Sequence, residues 1–302
     1  MSALPSVYTL ADLERWPKRS GEQVRLAVIG DPVAHSRSPQ MHNPALRAAG
    51  IEGEYVRVHL RPNELVAGVA ALRAAEFLGF NVTIPHKSAL FALVEEKSET
   101  ASRIGAVNTV AICGETLVGH NTDAPGLQRA VREAFSADLA DLRIFIVGAG
   151  GGAGRAAAVQ CALDGCQRLV LANRTVEKAR ELAAELADAL PGPDRIVAIP
   201  WDESAMEHEL DRIDLILNAT SLGMKSDDDA VVPRRLLRPQ HLVYDMVYAP
   251  PQTRLMAEVG EAGGRAANGL GMLLWQGALA FEFWFDRPAP VEAMREGLVS
   301  TL

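Results

Sequence analysis

The stretch IFIVGAGGGAGRAAA, residues 144–158, decides the fold. Ile144, Phe145, Ile146 and Val147 make an apolar run of the β-branched and aromatic type that strands favour. Gly148, Gly150 and Gly151 follow at once, and an alanine-rich helical pattern begins behind them. A strand that turns directly into a helix aims the helix's unsatisfied N–H groups at whatever lies over the turn, which makes an anion site. Gly148 supplies the tight turn, Gly150 keeps side chains out of the path of a pyrophosphate, and the small Ala153 lets the helix pack closely. Glycine clusters also make plain loops, but here strand, spacing and helix agree. The segment reads as a nucleotide-binding turn.

Working outward, the same rhythm continues on both sides. AAAVQCALDG is a helix closed by Gly165, QRLVLANR a second strand, and residues 176–190 a further helix, with RIVAIP, DLILNAT and HLVYDMVY as later strands. Upstream, RLAVIG (25–30) is a strand ending at Gly30-Asp31-Pro32. A helix over SPQMHNPALRAAG, an alternating strand EYVRVHL, a helix over NELVAGVAALRAAE and a strand FNVTI come next. Alternating strands and helices over 302 residues predict an α/β protein of two domains, the second a Rossmann-like, doubly wound one.

Composition narrows the function class. A formal net charge of −8 argues against a general nucleic-acid or anionic-membrane surface. The basic group Arg234, Arg235, Arg238 reads as a solvated face. Cys113, Cys161 and Cys166 have no metal-ligand spacing and read as buried or half-buried thiols, so no metal is expected. The apolar run 269–285 carries Gln276 and Glu282 and is short for a membrane span, so it reads as a core helix. The N-terminal lead has charges where a signal peptide needs an apolar centre, and a cytoplasmic location is expected. Residues 1–23 receive no role.

The second strand chooses the nucleotide. An NAD site carries an acidic residue there to bond the ribose 2′-OH; this chain has Asn173-Arg174-Thr175, with Lys178 one turn on. An arginine fork and a hydroxyl suit a 2′-phosphate, so NADP is expected. The alternative is a helix N-cap at Thr175 beside a solvated arginine. Elsewhere, Ser36 and Ser38 flank one residue at a helix start, fit either to hold a carboxylate or to cap the helix. Asn108-Thr109 makes a polar break, and Asp123 comes after Asn121-Thr122 at the domain junction, where a helix cap is the plain reading. In GFNVTIPHKSAL (79–90), Pro85 stops a strand, His86 is a turn residue, and Lys87 opens a helix at the surface.

GDPVAHSRSPQMHN, NVTIPHK, GAVNT, GHNTDAPG, VGAGGGAG, ANRT, NATSLGM, YDMVY and GMLLWQGALAFEFW run in the order of the shikimate dehydrogenase family, which the chain resembles over roughly residues 24–285. The resemblance implies reversible hydride transfer between NADP(H) and the 3-dehydroshikimate/shikimate pair, a step of aromatic amino-acid biosynthesis. It implies a catalytic pair, Lys87 and Asp123, and places Ser36 and Ser38 on the substrate carboxylate, with Tyr248 near it. Thr83, Asn108 and Gln276 would hold ring hydroxyls. Gly148, Gly150, Gly151, Asn173, Arg174 and Thr175 would hold NADP, joining Ala153 and Lys178 of the residue reading, and Met272 would pack near the nicotinamide. It further implies a substrate domain of residues 1–122 plus 270–302, an NADP domain of 123–269, and an active site in a cleft between them. His86 would face away from the substrate.

Two departures from the family pattern are Gly152, where relatives have alanine in GAGGA, and Ala124-Pro125, where many have glycine after the aspartate. Neither removes a functional side chain. Retention of both Lys87 and Asp123 counts against a non-catalytic sensor of a shikimate-type ligand. An NAD-dependent quinate/shikimate dehydrogenase and an aminoshikimate dehydrogenase are the nearest enzyme alternatives. A folate- or tRNA-linked reductase would lack HSRSP and NVTIPHK. A monomer or homodimer is expected, with a small molecule as the partner.

Overall fold

A computed structural model describes residues 7–17 and 23–300. The chain forms two units, residues 1–122 with 276–302, and residues 123–275.

In the second unit a six-stranded sheet is parallel throughout, in the order Ile196–Pro200, Arg168–Asn173, Arg143–Val147, Leu215–Asn218, Leu242–Asp245, Arg265–Asn268. Parallel strands are covered on both faces, so they read as unbroken apolar runs. Ile144, Phe145, Ile146, Val147, Leu215, Ile216 and Leu217 are all fully buried. In chain order these strands stand 3-2-1-4-5-6, and the order reverses between Arg143–Val147 and Leu215–Asn218. A crevice for ligands opens beyond the carboxyl ends of the strands at such a reversal. The helix expected over 176–190 ends at Leu186, and the strand in HLVYDMVY is confined to Leu242–Asp245. Arg265–Asn268 was not anticipated, because RAAN carries no β-branched residue.

The first unit holds a seven-stranded mixed sheet, in the order Tyr8–Thr9, Gly53–His59, Val24–Gly30, Gly79–Val82, Thr109–Cys113, Thr116–His120, Glu96–Lys97. The first four are parallel, whereas Thr109–Cys113 runs antiparallel to both its neighbours. The antiparallel hairpin replaces the polar break expected at Asn108-Thr109. Its signal was present: Gly114, at φ +63°, sits between two apolar runs. Helix Ser38–Ala48 lies beside Gly53–His59, where Asn43 accepts from Tyr55 N–H at 2.8 Å and donates to Tyr55 C=O at 3.0 Å. That side chain satisfies a strand edge that lacks a backbone partner at this position.

Part of the N-terminal lead is folded. Trp16 meets Tyr8 at 4.5 Å and Phe77 at 5.4 Å between ring centroids. Residues 1–6 and 18–22 of the unassigned lead lie outside the described residues. Helix Leu270–Phe285 begins in the second unit and continues into the first, and no described helix is long and apolar enough to cross a membrane. Cys161 and Cys166 are buried as expected, but Cys113 is exposed, since the hairpin carries it to the turn at Gly114. Arg234, Arg235 and Arg238 each meet an exposed carboxylate, from Glu261, Glu203 and Asp211 respectively. Pairs of that kind add little stability.

Candidate active site

At the strand reversal of the second unit lies a cavity of about 410 Å³, lined by Gly148, Gly150 and Gly151, by Asn173, Arg174, Thr175 and Lys178, and by Trp201 and residues 219–222. The glycine turn is built by close approach. Gly148 has φ +85°, and a Cβ on it would stand 2.8 Å from Thr220 Cγ2. A Cβ on Gly150 would stand 2.9 Å from Asn173 Nδ2, and the Gly150 N–H donates to Asn173 Oδ1 at 3.3 Å. Glycine is therefore required where the first and second strands hand over to their loops.

One expectation about this turn is corrected. The close-packing residue is Gly154, where a Cβ would fall 2.2 Å from the Gly148 carbonyl oxygen, whereas Ala153 is exposed and lines no part of the cavity. The helix Gly152–Leu163 turns Gly154 towards Gly148 and leaves Ala153 on its outer side. Thr175 does occupy the N-cap position of Val176–Leu186, but its side chain makes no capping hydrogen bond. Arg174, Thr175 and Lys178 are all exposed, so their donors face the cavity mouth without a carboxylate at that strand end.

The loops of the far wall are ordered by buried groups that pattern reading missed. Asn218 Nδ2 donates to Leu222 C=O at 3.0 Å and to Asp245 Oδ1 at 2.9 Å, while its Oδ1 accepts from Thr220 N–H and Oγ1–H at 3.0 and 2.7 Å. Asp245 also accepts from Val247 N–H and from the Thr253 hydroxyl. Burial pushes its carboxyl above the usual value even so, with the hydrogen bonds from Thr253, Val247 and Asn218 opposing. The NAT and YDM motifs are thus one network, and Tyr248 lies three residues beyond its anchor. Tyr244, fully buried, accepts the Met272 N–H at 2.8 Å and so fixes the start of helix Leu270–Phe285.

In the first unit, Ser36, Ser38, Thr83, Lys87 and Asn108 come together at one end of the sheet, beyond the carboxyl ends of Val24–Gly30 and Gly79–Val82. Ser36 Oγ–H donates to Ser38 Oγ at 3.2 Å and accepts from Ser38 N–H at 3.4 Å. Ser38 is the first residue of its helix, and the cap position falls on Arg37. Its hydroxyl is bonded instead to Tyr55, whose own hydroxyl donates to Asn81 Oδ1 at 2.7 Å. Asn81 Nδ2 donates to Thr109 Oγ1 at 2.9 Å, and Thr109 in turn to Asn108 Oδ1 at 3.1 Å. Asn108 then holds Thr122, accepting from its N–H at 2.8 Å and donating to its Oγ1 at 3.0 Å. One chain of buried donors therefore links the serine pair to the residue before Asp123.

Thr83 N–H donates to Ile29 C=O at 2.9 Å, so the residue leaves the sheet only after one more bridge. His86 closes the turn after Thr83, its N–H donating to Thr83 C=O, and is buried as an anchor: its ring N–H donates to Leu60 C=O at 2.7 Å. Lys87 opens helix Lys87–Phe91 half-buried, with its carbonyl bonded to Val107 N–H. Asp123 is the first residue of helix Asp123–Phe135, and Gln276 is buried in the first unit.

This chain is similar to known proteins. The family described as the shikimate dehydrogenase substrate binding domain matches residues 28–110, shikimate / quinate 5-dehydrogenase matches 129–226, and the shikimate 5'-dehydrogenase C-terminal domain matches 269–298. Shikimate dehydrogenase (NADP(+)) of Moorella thermoacetica is 45% identical over 271 residues, 89% of this chain and 90% of that one. The chain belongs to the shikimate dehydrogenase family. Among solved structures of this family, a shikimate 5-dehydrogenase of Thermus thermophilus in complex with NADP(H) and shikimate aligns with TM-score 0.82 at 36% identity, covering 93% of this chain and all 100% of that one. A quinate dehydrogenase of Corynebacterium glutamicum in complex with NAD aligns with TM-score 0.82 at 31% identity, covering 92% and 99%.

Proposed function

We propose that this member of the shikimate dehydrogenase family is an NADP-dependent oxidoreductase that reversibly reduces 3-dehydroshikimate to shikimate. The observation that carries the reading is the second-strand terminus, where Asn173-Arg174-Thr175 faces the crevice in place of a carboxylate. A carboxylate there would repel a 2′-phosphate; the Arg174 fork and the Thr175 hydroxyl bind it. Gly148, Gly150 and Gly151 leave room for the pyrophosphate, and the N-terminus of Gly152–Leu163 meets its charge. Bound NADP supplies or accepts the hydride.

The side chains of this chain do the rest. Ser36 and Ser38 bind the substrate carboxylate, and Thr83, Asn108 and Gln276 bind ring hydroxyls, with Tyr248 near the carboxylate and Met272 near the nicotinamide. Negative charge builds on the carbonyl oxygen during reduction, and the Lys87 ammonium meets it. Asp123 is the carboxylate member of the catalytic pair. The enzyme works in the cytoplasm, a reading its three free cysteines suit, as a monomer or homodimer, to be checked by fractionation and light scattering.

The test is absorbance of reduced nicotinamide with shikimate or quinate paired with NADP⁺ or NAD⁺. Shikimate with NADP⁺ is the expected pair. Turnover of none of the four combinations would refute the enzyme assignment, and turnover of quinate with NAD⁺ alone would refute the cofactor and substrate.

A further inference from the structure

Strand Gly53–His59 and the residue after it alternate strictly. Val58 and Leu60 are fully buried in the core, and Val56 packs against it. Tyr55, Arg57 and His59 therefore stand on the opposite face, one above the other. All three reach the segment that carries the serine pair. The Tyr55 hydroxyl is bonded to Ser38, Arg57 Nε–H donates to Ser36 C=O at 2.7 Å and Arg57 Nη2 to Gln40 Oε1 at 2.8 Å, and His59 Nε2 lies 2.8 Å from Asp31 Oδ1. Of the three, Arg57 brings a permanent charge to the serine pair.

The chemistry of the pair asks for such a charge. Two serine hydroxyls are neutral donors, and moving a carboxylate out of water onto neutral donors alone is costly. A guanidinium behind them lowers that cost for the anion and does nothing comparable for a neutral ester. We propose that Arg57 is a positioning residue that holds Ser36 by its carbonyl and makes this end of the sheet select a carboxylate over its uncharged counterpart. The inference rests on the reading of Ser36 and Ser38 as the carboxylate site. Arg57 is half-buried, and burial works against its charge while the neighbouring Tyr55 supports it. An arriving anion relieves that cost.

The experiment compares KM for shikimate with the inhibition constant of shikimate methyl ester in the wild type, Arg57→Met, Arg57→Lys and Ser36→Ala, each with its melting temperature and its KM for NADP⁺. Loss of a charge-assisted contact predicts that Arg57→Met raises KM for shikimate about tenfold or more, leaving the ester within about twofold. Arg57→Lys, which keeps the charge and loses the fork, recovers most of the acid-over-ester preference. Equal losses for acid and ester in Arg57→Met, or a preference in Arg57→Lys as low as in a neutral variant, overturn the inference. Should Arg57→Met fail to fold, Arg57→Gln supplies the neutral comparison for Arg57→Lys. If Ser36→Ala leaves KM for shikimate unchanged, the serine assignment itself fails. If Ser36→Ala raises KM but the Arg57 variants keep the preference, only the role of Arg57 fails.

Discussion

Tyr55 donates its hydroxyl hydrogen to Asn81 Oδ1 across 2.7 Å, with both residues almost wholly buried. The bond spans neighbours of Val24–Gly30 on its two sides, since Tyr55 lies on Gly53–His59 and Asn81 on Gly79–Val82. Removing the hydroxyl strands the Asn81 oxygen and frees Ser38 from its acceptor. Tyr55→Phe is expected to cost about 1–3 kcal/mol of stability, the desolvation cost of one unsatisfied buried group. It should also raise KM for shikimate while kcat with saturating substrate falls less. Urea denaturation and steady-state kinetics read the two effects, and a variant as stable as the wild type would refute the structural half.

His42 makes stability depend on pH. Its ring is fully buried, stacks on Tyr55 at 4.4 Å between centroids, and has no hydrogen-bond partner on either nitrogen among the described residues. Burial pushes the imidazole down from the ordinary 6.5 to about 3. Between those values the unfolded chain binds a proton that the folded chain does not. The folded state therefore loses stability as pH falls below 6.5, by about 1.4 kcal/mol per pH unit from this group. His42→Phe keeps a ring against Tyr55 and removes that slope. Denaturation midpoints at pH 7, 6 and 5 check it, and an unchanged slope would count against the assignment.

The glycine turn separates permissive from obligatory positions. Gly152 has nothing within 4 Å of where a Cβ would be, and its φ is not positive. Gly152→Ala is expected to stabilise by about 0.4–1 kcal/mol through the unfolded chain, with activity retained. Gly154→Ala puts a methyl against the Gly148 carbonyl and should lower both the melting temperature and the affinity for NADP⁺. Calorimetry together with cofactor titration distinguishes the two variants.

Arg174 is exposed at the cavity mouth, so its loss should spare the fold. Arg174→Ala is expected to raise KM for NADP⁺ at least about tenfold, the worth of a charged hydrogen bond, with KM for NAD⁺ little altered. Equal changes for both cofactors would remove the arginine from 2′-phosphate recognition.

Lys87→Ala should lower kcat by about 10²–10⁴, the usual range for a positioned acid or base, while KM for NADP⁺ stays near that of the wild type. The pH profile of kcat in Lys87→Arg separates the two roles of this group. A retained rate with the basic limb lost points to charge stabilisation, and a collapsed rate points to proton transfer.

The second unit was legible because its information is local. Strand, glycine turn and helix lie within fifteen consecutive residues, 144–158, and hard-sphere contact at Gly148 and Gly150 restricts what can stand there. Parallel strands covered on both faces announce themselves as apolar runs, and the second-strand Asn173-Arg174-Thr175 needs no distant partner to repel or admit a phosphate. Ser36, Ser38 and Lys87 were legible as types at strand ends. What each touches was not. Tyr55, Arg57 and His59 read as the polar half of an alternating strand, and nothing in that period names the loop they hold. Asn218 and Asp245 lie 27 residues apart and form one network only because their strands are neighbours. The choice of Gly154 over Ala153 turned on which side of the helix meets the Gly148 carbonyl, which spacing does not resolve. Side-chain periods and turn chemistry are properties of short segments, and the sequence carried them. Strand order and register are set by burial across the whole sheet, so which polar groups meet behind the serines was decided by the tertiary structure alone.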